Sequence, residues 1–274
     1  LLFPSMRGTQ LVSEVFKRCS GEKRPAFMPY LTCGFPSLAE TPDLLVSMEK
    51  AGADVIELGI PFSDPLADGG TIQAASQAAL EQGVTLKHCL SVVQDARSRG
   101  LTAPIILMGY LNPFLAYGID RVVSDAKEAG ADGFIVADMP PEEGRELIAS
   151  CRELGMAFVP LVAPTSTDER IAQVAAAASG FLYCVSVTGV TGARSELPAN
   201  LRDFLSRTRS LAPELPLAVG FGLSTRAHVR EVGAMADGAV MGSAVVRCVG
   251  EAAASAEERR ERLAAFIRSV TRDE

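Results

Sequence analysis

Eight alternations of a short, continuously apolar stretch with an amphipathic helical one predict a closed α/β barrel of eight βα units, the (βα)8 TIM barrel, preceded by an extra N-terminal helix. Strands without polar alternation are covered on both faces, as parallel strands wrapped by helices are. Polar and Gly-rich clusters fall directly after strands, the end at which barrels of this kind build their sites. An open doubly wound sheet also alternates, but Thr32-Cys33-Gly34-Phe35-Pro36 after the first strand is not a dinucleotide-type glycine loop. The 274 residues suit one such domain, with a leading helix and extension over 1–24, a barrel core over 25–250 and a C-terminal helix over 251–274.

The units follow in order. Leu11, Val12, Val15, Phe16 and Cys19 form one helical stripe that covers an end of the core. Ala26 to Thr32 is the first strand, and Leu44, Leu45 and Met48 mark the helix ending near Gly52. Val55 to Ile60 is the second strand; Thr85 caps a helix through Leu86, Leu90, Val93 and Ala96. Strands are expected at Ile105 to Met108, Gly133 to Ala137 and Ala157 to Val162, with helices stopping at Gly130, Gly155 and Gly180. Phe181 to Val185, Leu217 to Phe221 and Gly238 to Met241 complete the strands, and Leu263, Phe266, Ile267 and Val270 close the chain as a helix.

A net charge of −7 without a basic run disfavours a nucleic-acid partner, and none is expected. Six scattered cysteines and two histidines lack zinc or redox spacing, which points to a reducing compartment. No apolar run approaches the ~18 residues of a membrane span, so no membrane is expected. The expected location is the cytoplasm, or the plastid stroma if a targeting segment preceded Leu1.

The chemistry is expected around Asp54 to Ile72, DVIELGIPFSDPLADGGTI. Period-two alternation sends Ile56, Leu58 and Ile60 to one face and Val55, Glu57 and Gly59 to the other, so Glu57 points into the sheet's enclosure. Such a glutamate is either a structural ion-pair partner or an acid–base group with its pKa raised by burial. Asp68, in a loop of Pro61, Pro65, Gly69 and Gly70, is expected to be wetter and ionised. Two carboxylates in unlike settings suggest two roles.

Thr188-Gly189-Val190-Thr191-Gly192, Gly220-Phe221-Gly222-Leu223-Ser224 and Gly242-Ser243 follow the last three strands. Each alone reads as a strand-to-helix turn; together they match the phosphate site recurrent in this architecture. The stretch from Thr188 to Leu197 has the length and composition of a lid. Tyr183 points into the barrel, as packing or as chemistry, and Tyr30, Ile72, Met108, Ile135 and Leu161 form an apolar wall. The implied substrate has an apolar or aromatic head and a phosphorylated tail.

Glu57 within VIELGIPFSDPLADG, Tyr110-Leu111-Asn112-Pro113, Asp138 within VADMPPEE, Gly189-Val190-Thr191-Gly192-Ala193, Val219-Gly220-Phe221-Gly222 and Gly242-Ser243 together resemble the tryptophan synthase α-subunit family. The resemblance implies a carbon–carbon lyase that splits indole-3-glycerol phosphate into indole and glyceraldehyde 3-phosphate. It implies catalytic roles for Glu57, Asp68 and Tyr183. Gly192, Phe221, Gly222, Gly242 and Ser243 would hold the phosphate, and Thr191 would reach Asp68 on lid closure. It implies no cofactor in this chain and a pyridoxal-phosphate-bearing β subunit, or fused β domain, as partner. The loop from Pro61 to Asp68, the turn at Asn112 and Pro113 and the lid near Thr191 would meet that partner in an α–β–β–α complex. Gly70, Val187 and Phe35 depart from the residues common in the family at those positions. The alternatives are a stand-alone lyase releasing free indole, a catalytically weak subunit that gates the β partner, and a sugar-phosphate isomerase or epimerase on the same barrel.

Overall fold

The computed structural model describes residues 6–186, 197–220 and 222–271. Its strands are β1 (Ala26–Thr32), β2 (Ile56–Gly59), β3 (Ile105–Gly109), β4 (Gly133–Val136), β5 (Ala157–Phe158), β6 (Leu161–Val162), β7 (Leu182–Val185), β8 (Leu217–Gly220) and β9 (Gly238–Met241). The helices are α1 (Gly8–Gly21), α2 (Thr41–Ala51), α3 (Gly70–Glu81), α4 (Leu86–Ser98), α5 (Leu111–Tyr117), α6 (Ile119–Ala129), α7 (Arg145–Leu154), α8 (Asp168–Ala177), α9 (Leu201–Leu211), α10 (Arg226–Gly233), α11 (Ser243–Gly250) and α12 (Ala256–Thr271).

The strands pair in the order β5-β4-β3-β2-β1-β9-β8-β7-β6, all parallel. β5 and β6 are two halves of the single stretch expected over Ala157 to Val162. Pro160, which has no N–H, separates them. Val159 N donates to Phe134 O (2.9 Å) on one side, and Pro160 O accepts from Tyr183 N (3.1 Å) on the other. This one stretch therefore joins both ends of the sheet and completes the TIM barrel.

The alternation of side chains sorts two cores. Ile56, Leu58, Leu107 and Phe134 face outward and pack in the large cluster with the helices. Val55, Ile106, Ile135, Phe181, Tyr183, Ala218 and Val240 share a second, inner cluster. α1 closes that interior by adding Val12, Val15, Phe16 and Cys19 to it, and the rings of Phe16 and Phe181 lie 5.3 Å apart. Its entry is tight. Gly8 has φ +63°, and a Cβ there would stand 2.0 Å from Gly155 O.

Three aspartates, each just before a strand, fasten the strands where they begin. Asp54 accepts from Phe27 N (2.9 Å) and pairs with Arg18 and Arg24. Asp132 accepts from Ile105 N (2.9 Å), Gly8 N (2.8 Å) and Arg97 (2.7 Å). Asp237 accepts from Leu217 N (2.8 Å) and Arg209. Each carboxylate thus reaches back to an amide in the first two residues of an earlier strand.

Several elements differ from expectation. α3 and α11 were not anticipated, because α3 buries only Ile72, Ala75, Ser76 and Ala79, a stripe of mostly small side chains, and α11 is short. Asn112 and Pro113 lie within α5 instead of a turn, with Pro tolerated in its first turn. The final helix starts at Ala256, after α11 has ended at Gly250.

Burial pushes Asp132 upward and pulls Arg97 down to about 10, so desolvation outweighs their attraction in both. Such a pair adds little net stability while intact but is costly to break. Asp132→Ala strips the half-buried charge of Arg97 of its carboxylate and leaves the Ile105 and Gly8 amides without their acceptor, and urea unfolding should show a loss of about 3 kcal/mol or more. Asp43→Ala, which removes an exposed partner of Arg99, should cost less than about 1 kcal/mol.

Candidate active site

Glu57 sits mid-strand on β2, beside Tyr30 on β1 and Ile106 on β3. It is fully buried, and among the described residues neither carboxylate oxygen has a hydrogen-bond partner. Burial alone raises its pKa to about 8. A carboxyl group in this state carries its proton at neutral pH and can part with it.

Asp68 lies at the end of the β2–α3 loop, just ahead of the α3 N-cap Gly69. It is only 7% exposed, which corrects the expectation of a wet loop carboxylate. The loop folds inward, with Asp68 N on Pro65 O (2.9 Å) and Gln73 Nε2 on Asp68 O (2.8 Å). Tyr110, at the end of β3, donates its hydroxyl to Asp68 Oδ2 at 2.9 Å. Burial raises Asp68 to about 6, and the Tyr110 hydrogen bond opposes that rise. The expected division, with Glu57 the weaker acid and Asp68 the stronger, is retained, but a phenol does what water was expected to do.

Tyr30 and Tyr183 face both carboxylates. Burial raises both phenols well above their ordinary value; Asp68 and Glu57 raise Tyr30 further, and Glu57, Asp68 and Tyr30 raise Tyr183. Each hydroxyl rests over a glycine of the next strand. A Cβ at Gly59 would lie 2.0 Å from the Tyr30 oxygen, and one at Gly220 would lie 2.0 Å from the Tyr183 oxygen. Tyr30 Oη also meets Thr32 Oγ1 at 3.3 Å.

The wall has two parts. Tyr30, Ile72, Ala75 and Val246 form a small cluster against which Met108 and Phe35 pack. Ile135 belongs to the inner cluster, as do the flanking Met108 and Leu161, so Met108 bridges the two. Gly242 follows β9, and a Cβ there would lie 3.5 Å from Ile72 Cδ1, which places the chain's turn into α11 beside this wall. Ser243 starts α11 and is buried; Gly222, at φ +87°, follows β8, the strand next to β9. Thr191, Gly192, Phe221 and Val187 lie outside the described residues.

In the sequence Tyr110 stands out only as part of a motif, and its place directly after a strand is the signal that points to the site. Asp138, on the next loop, accepts from Leu111 N (2.8 Å) and so holds the start of α5.

The unpartnered carboxyl makes a pH-dependent signature. Its folded pKa of about 8 exceeds the ordinary value of 4.5, so its contribution to stability is complete below about 4.5 and is lost as pH rises through about 8. Glu57→Gln keeps a neutral group there at every pH. Its stability relative to the parent should therefore rise between pH 5 and pH 8.5, by a few kcal/mol at most, in denaturant melts across pH. A pH-independent difference would contradict the buried, unpartnered setting.

The profile of the tryptophan synthase alpha chain family matches residues 16–273. The tryptophan synthase alpha chain of Roseiflexus castenholzii is 53% identical over 238 residues, covering 87% of this chain and 91% of its own. The tryptophan synthase of Saccharomyces cerevisiae is 45% identical over 244 residues, which make up 89% of this chain but 34% of that longer protein. The crystal structure of tryptophan synthase subunit alpha from Legionella pneumophila superposes with a TM-score of 0.88 at 33% identity, covering 97% of each chain. The family profile, these relatives and the shared barrel agree, and this chain belongs to the tryptophan synthase alpha chain family.

Proposed function

We propose that this chain cleaves indole-3-glycerol phosphate to indole and glyceraldehyde 3-phosphate, with Glu57, Asp68 and Tyr183 as its catalytic groups. The observation that carries this reading is Glu57 itself, buried without a hydrogen-bond partner and facing the same tyrosines as Asp68. Carbon–carbon cleavage needs a proton delivered to the indole C3, which places positive charge on the ring nitrogen. Protonated Glu57 supplies that proton, and ionised Asp68 accepts the ring N–H and stabilises the charge. The hydroxyl on the adjacent side-chain carbon then loses its proton, the bond to C3 breaks, and its electron pair returns to the ring. The proton count closes when Glu57 receives the hydroxyl proton.

Tyr183 orients the glycerol portion, and Tyr30, Ile72, Met108 and Ile135 enclose the indole. Gly222, Gly242 and Ser243 bind the phosphate with backbone amides and the start of α11, together with Gly192 and Phe221. Thr191 reaches Asp68 when the lid closes.

The partner in this reading is a β subunit that carries pyridoxal phosphate and consumes the indole, while this chain binds no cofactor. Leu66, 85% exposed, and Leu115, 55% exposed, are the large apolar side chains most open to solvent among the described residues. They stand on the β2–α3 loop and on α5, which carry two of the three segments that the resemblance assigns to partner contact. Their exposure favours the partnered subunit, in an α–β–β–α complex, over the stand-alone lyase. A fused β domain would meet the same surface. Among the described residues no helix is long and apolar enough to cross a membrane, and we place the reaction in the cytoplasm, as the bacterial relatives suggest.

Indole release from indole-3-glycerol phosphate, measured with and without a tryptophan synthase β subunit, should be slow alone and strongly raised by the partner. Release that ignores the partner would support the stand-alone lyase, and no release in either condition would refute the lyase reading. Glu57→Gln should lose about 100-fold or more of turnover while still binding glycerol phosphate. A Cβ at Gly242 would meet nothing nearer than 3.5 Å, so Gly242→Ala tests size and Gly242→Asp adds charge. The aspartate should raise KM about tenfold or more beyond the alanine, and equal KM values would place the phosphate elsewhere.

A further inference from the structure

Tyr110 is built into the site more firmly than packing requires. Its hydroxyl accepts from Ala67 N (3.1 Å) and donates to Asp68 Oδ2 (2.9 Å), so its single proton is directed at the carboxylate. Its ring stacks on Phe62 at 5.3 Å between centroids. Phe62, Ala67 and Asp68 all belong to the β2–α3 loop, and Leu66 lies between them. Tyr110 is also the N-cap of α5, the helix that displays Leu115, and the next amide, Leu111 N, is held by Asp138. One side chain therefore joins the exposed loop, the exposed helix and a buried carboxylate.

We propose that Tyr110 is a positioning residue that holds Asp68 in its working orientation and links it to the Leu66–Leu115 surface, so that a β subunit seated there acts on Asp68 through the phenol. This rests on the lyase reading above. A partner that moves the loop against α5 alters the Tyr110–Asp68 geometry, because both ends of that hydrogen bond belong to the segments it would touch. A ligand held by Asp68 biases the same contact from the inside, which makes the coupling reciprocal.

The groups around Asp68 are Tyr30 on β1, Glu57 on β2, Tyr110 after β3 and Tyr183 on β7, with Asp138 acting on Tyr110 from the following loop. Of these, Tyr110 is the one whose hydrogen bond to Asp68 favours the ionised carboxylate. Tyr110→Phe keeps the ring against Phe62 and removes that donor. In the free chain, the acid limb of the pH profile for indole release should move upward by about half a unit or more, while the basic limb, set by Glu57, stays in place. A structural defect would lower the whole profile without moving one limb.

The stimulation by saturating β subunit should also fall about fivefold or more in Tyr110→Phe. An unmoved acid limb would overturn the positioning role, and a moved limb with undiminished stimulation would overturn the link to the surface. Carbon-13 titration of the Asp68 carboxyl in the parent and in Tyr110→Phe reads the same shift without turnover. Absence of indole release by the parent would thus refute the lyase reading while the titration still decides for or against Tyr110: an upward shift supports the positioning role, and coincident titrations refute it.

Discussion

A closed ring of parallel strands leaves every second side chain with nowhere to go but inward. That constraint governs this molecule, because each inward position must be filled by an apolar group, be hydrogen-bonded, or remain costly. Val55, Ile106, Ile135 and Phe181 satisfy it by packing, and α1 completes the seal from below. Glu57 does not satisfy it. Its two unpartnered oxygens mark the place where burial is used to change an acid's strength, and the ring around it supplies the dry surroundings that make the change large.

The two ends of the ring handle carboxylates in opposite ways. At the strand starts, Asp54, Asp132 and Asp237 each bind an arginine and a backbone amide, so charge is spent on register and on anchoring α1. Beyond the strand ends, Asp68 receives the Tyr110 phenol and, among the described residues, no cation, and it stays a weaker acid than Asp54, whose arginines and amide overcome burial to hold it below its ordinary value. Rigid carboxylates below and poised ones above follow from which partners the loops deliver.

Much of this was legible from short-range pattern. The period-two rule located Glu57 inside the barrel, and the glycines after the last strands located the end where Gly242 lies beside the Tyr30–Ile72 wall. What could not be read depends on partners far apart in the chain. Asp68 looked wet because its loop is polar and turn-rich; the group that covers it is 42 residues away. α3 escaped because its buried stripe is largely alanine and serine, which carry no apolar periodicity worth the name. The interruption between β5 and β6 escaped because a proline after Val159 is compatible with extended backbone, and the change of neighbour from β4 to β7 that accompanies it is a long-range feature.

The seating of Tyr30 over Gly59 and of Tyr183 over Gly220 also bears on how such a pocket can diverge. Each hydroxyl occupies the volume that a methyl group on the facing glycine would need. Neither glycine can acquire a side chain while its tyrosine keeps its present rotamer, whereas a tyrosine shortened first leaves room for the glycine to change afterwards. Variation at these four positions is thereby ordered in time: the aromatic member of each pair must yield before the small one, and lineages that reshape the pocket are confined to that sequence of steps.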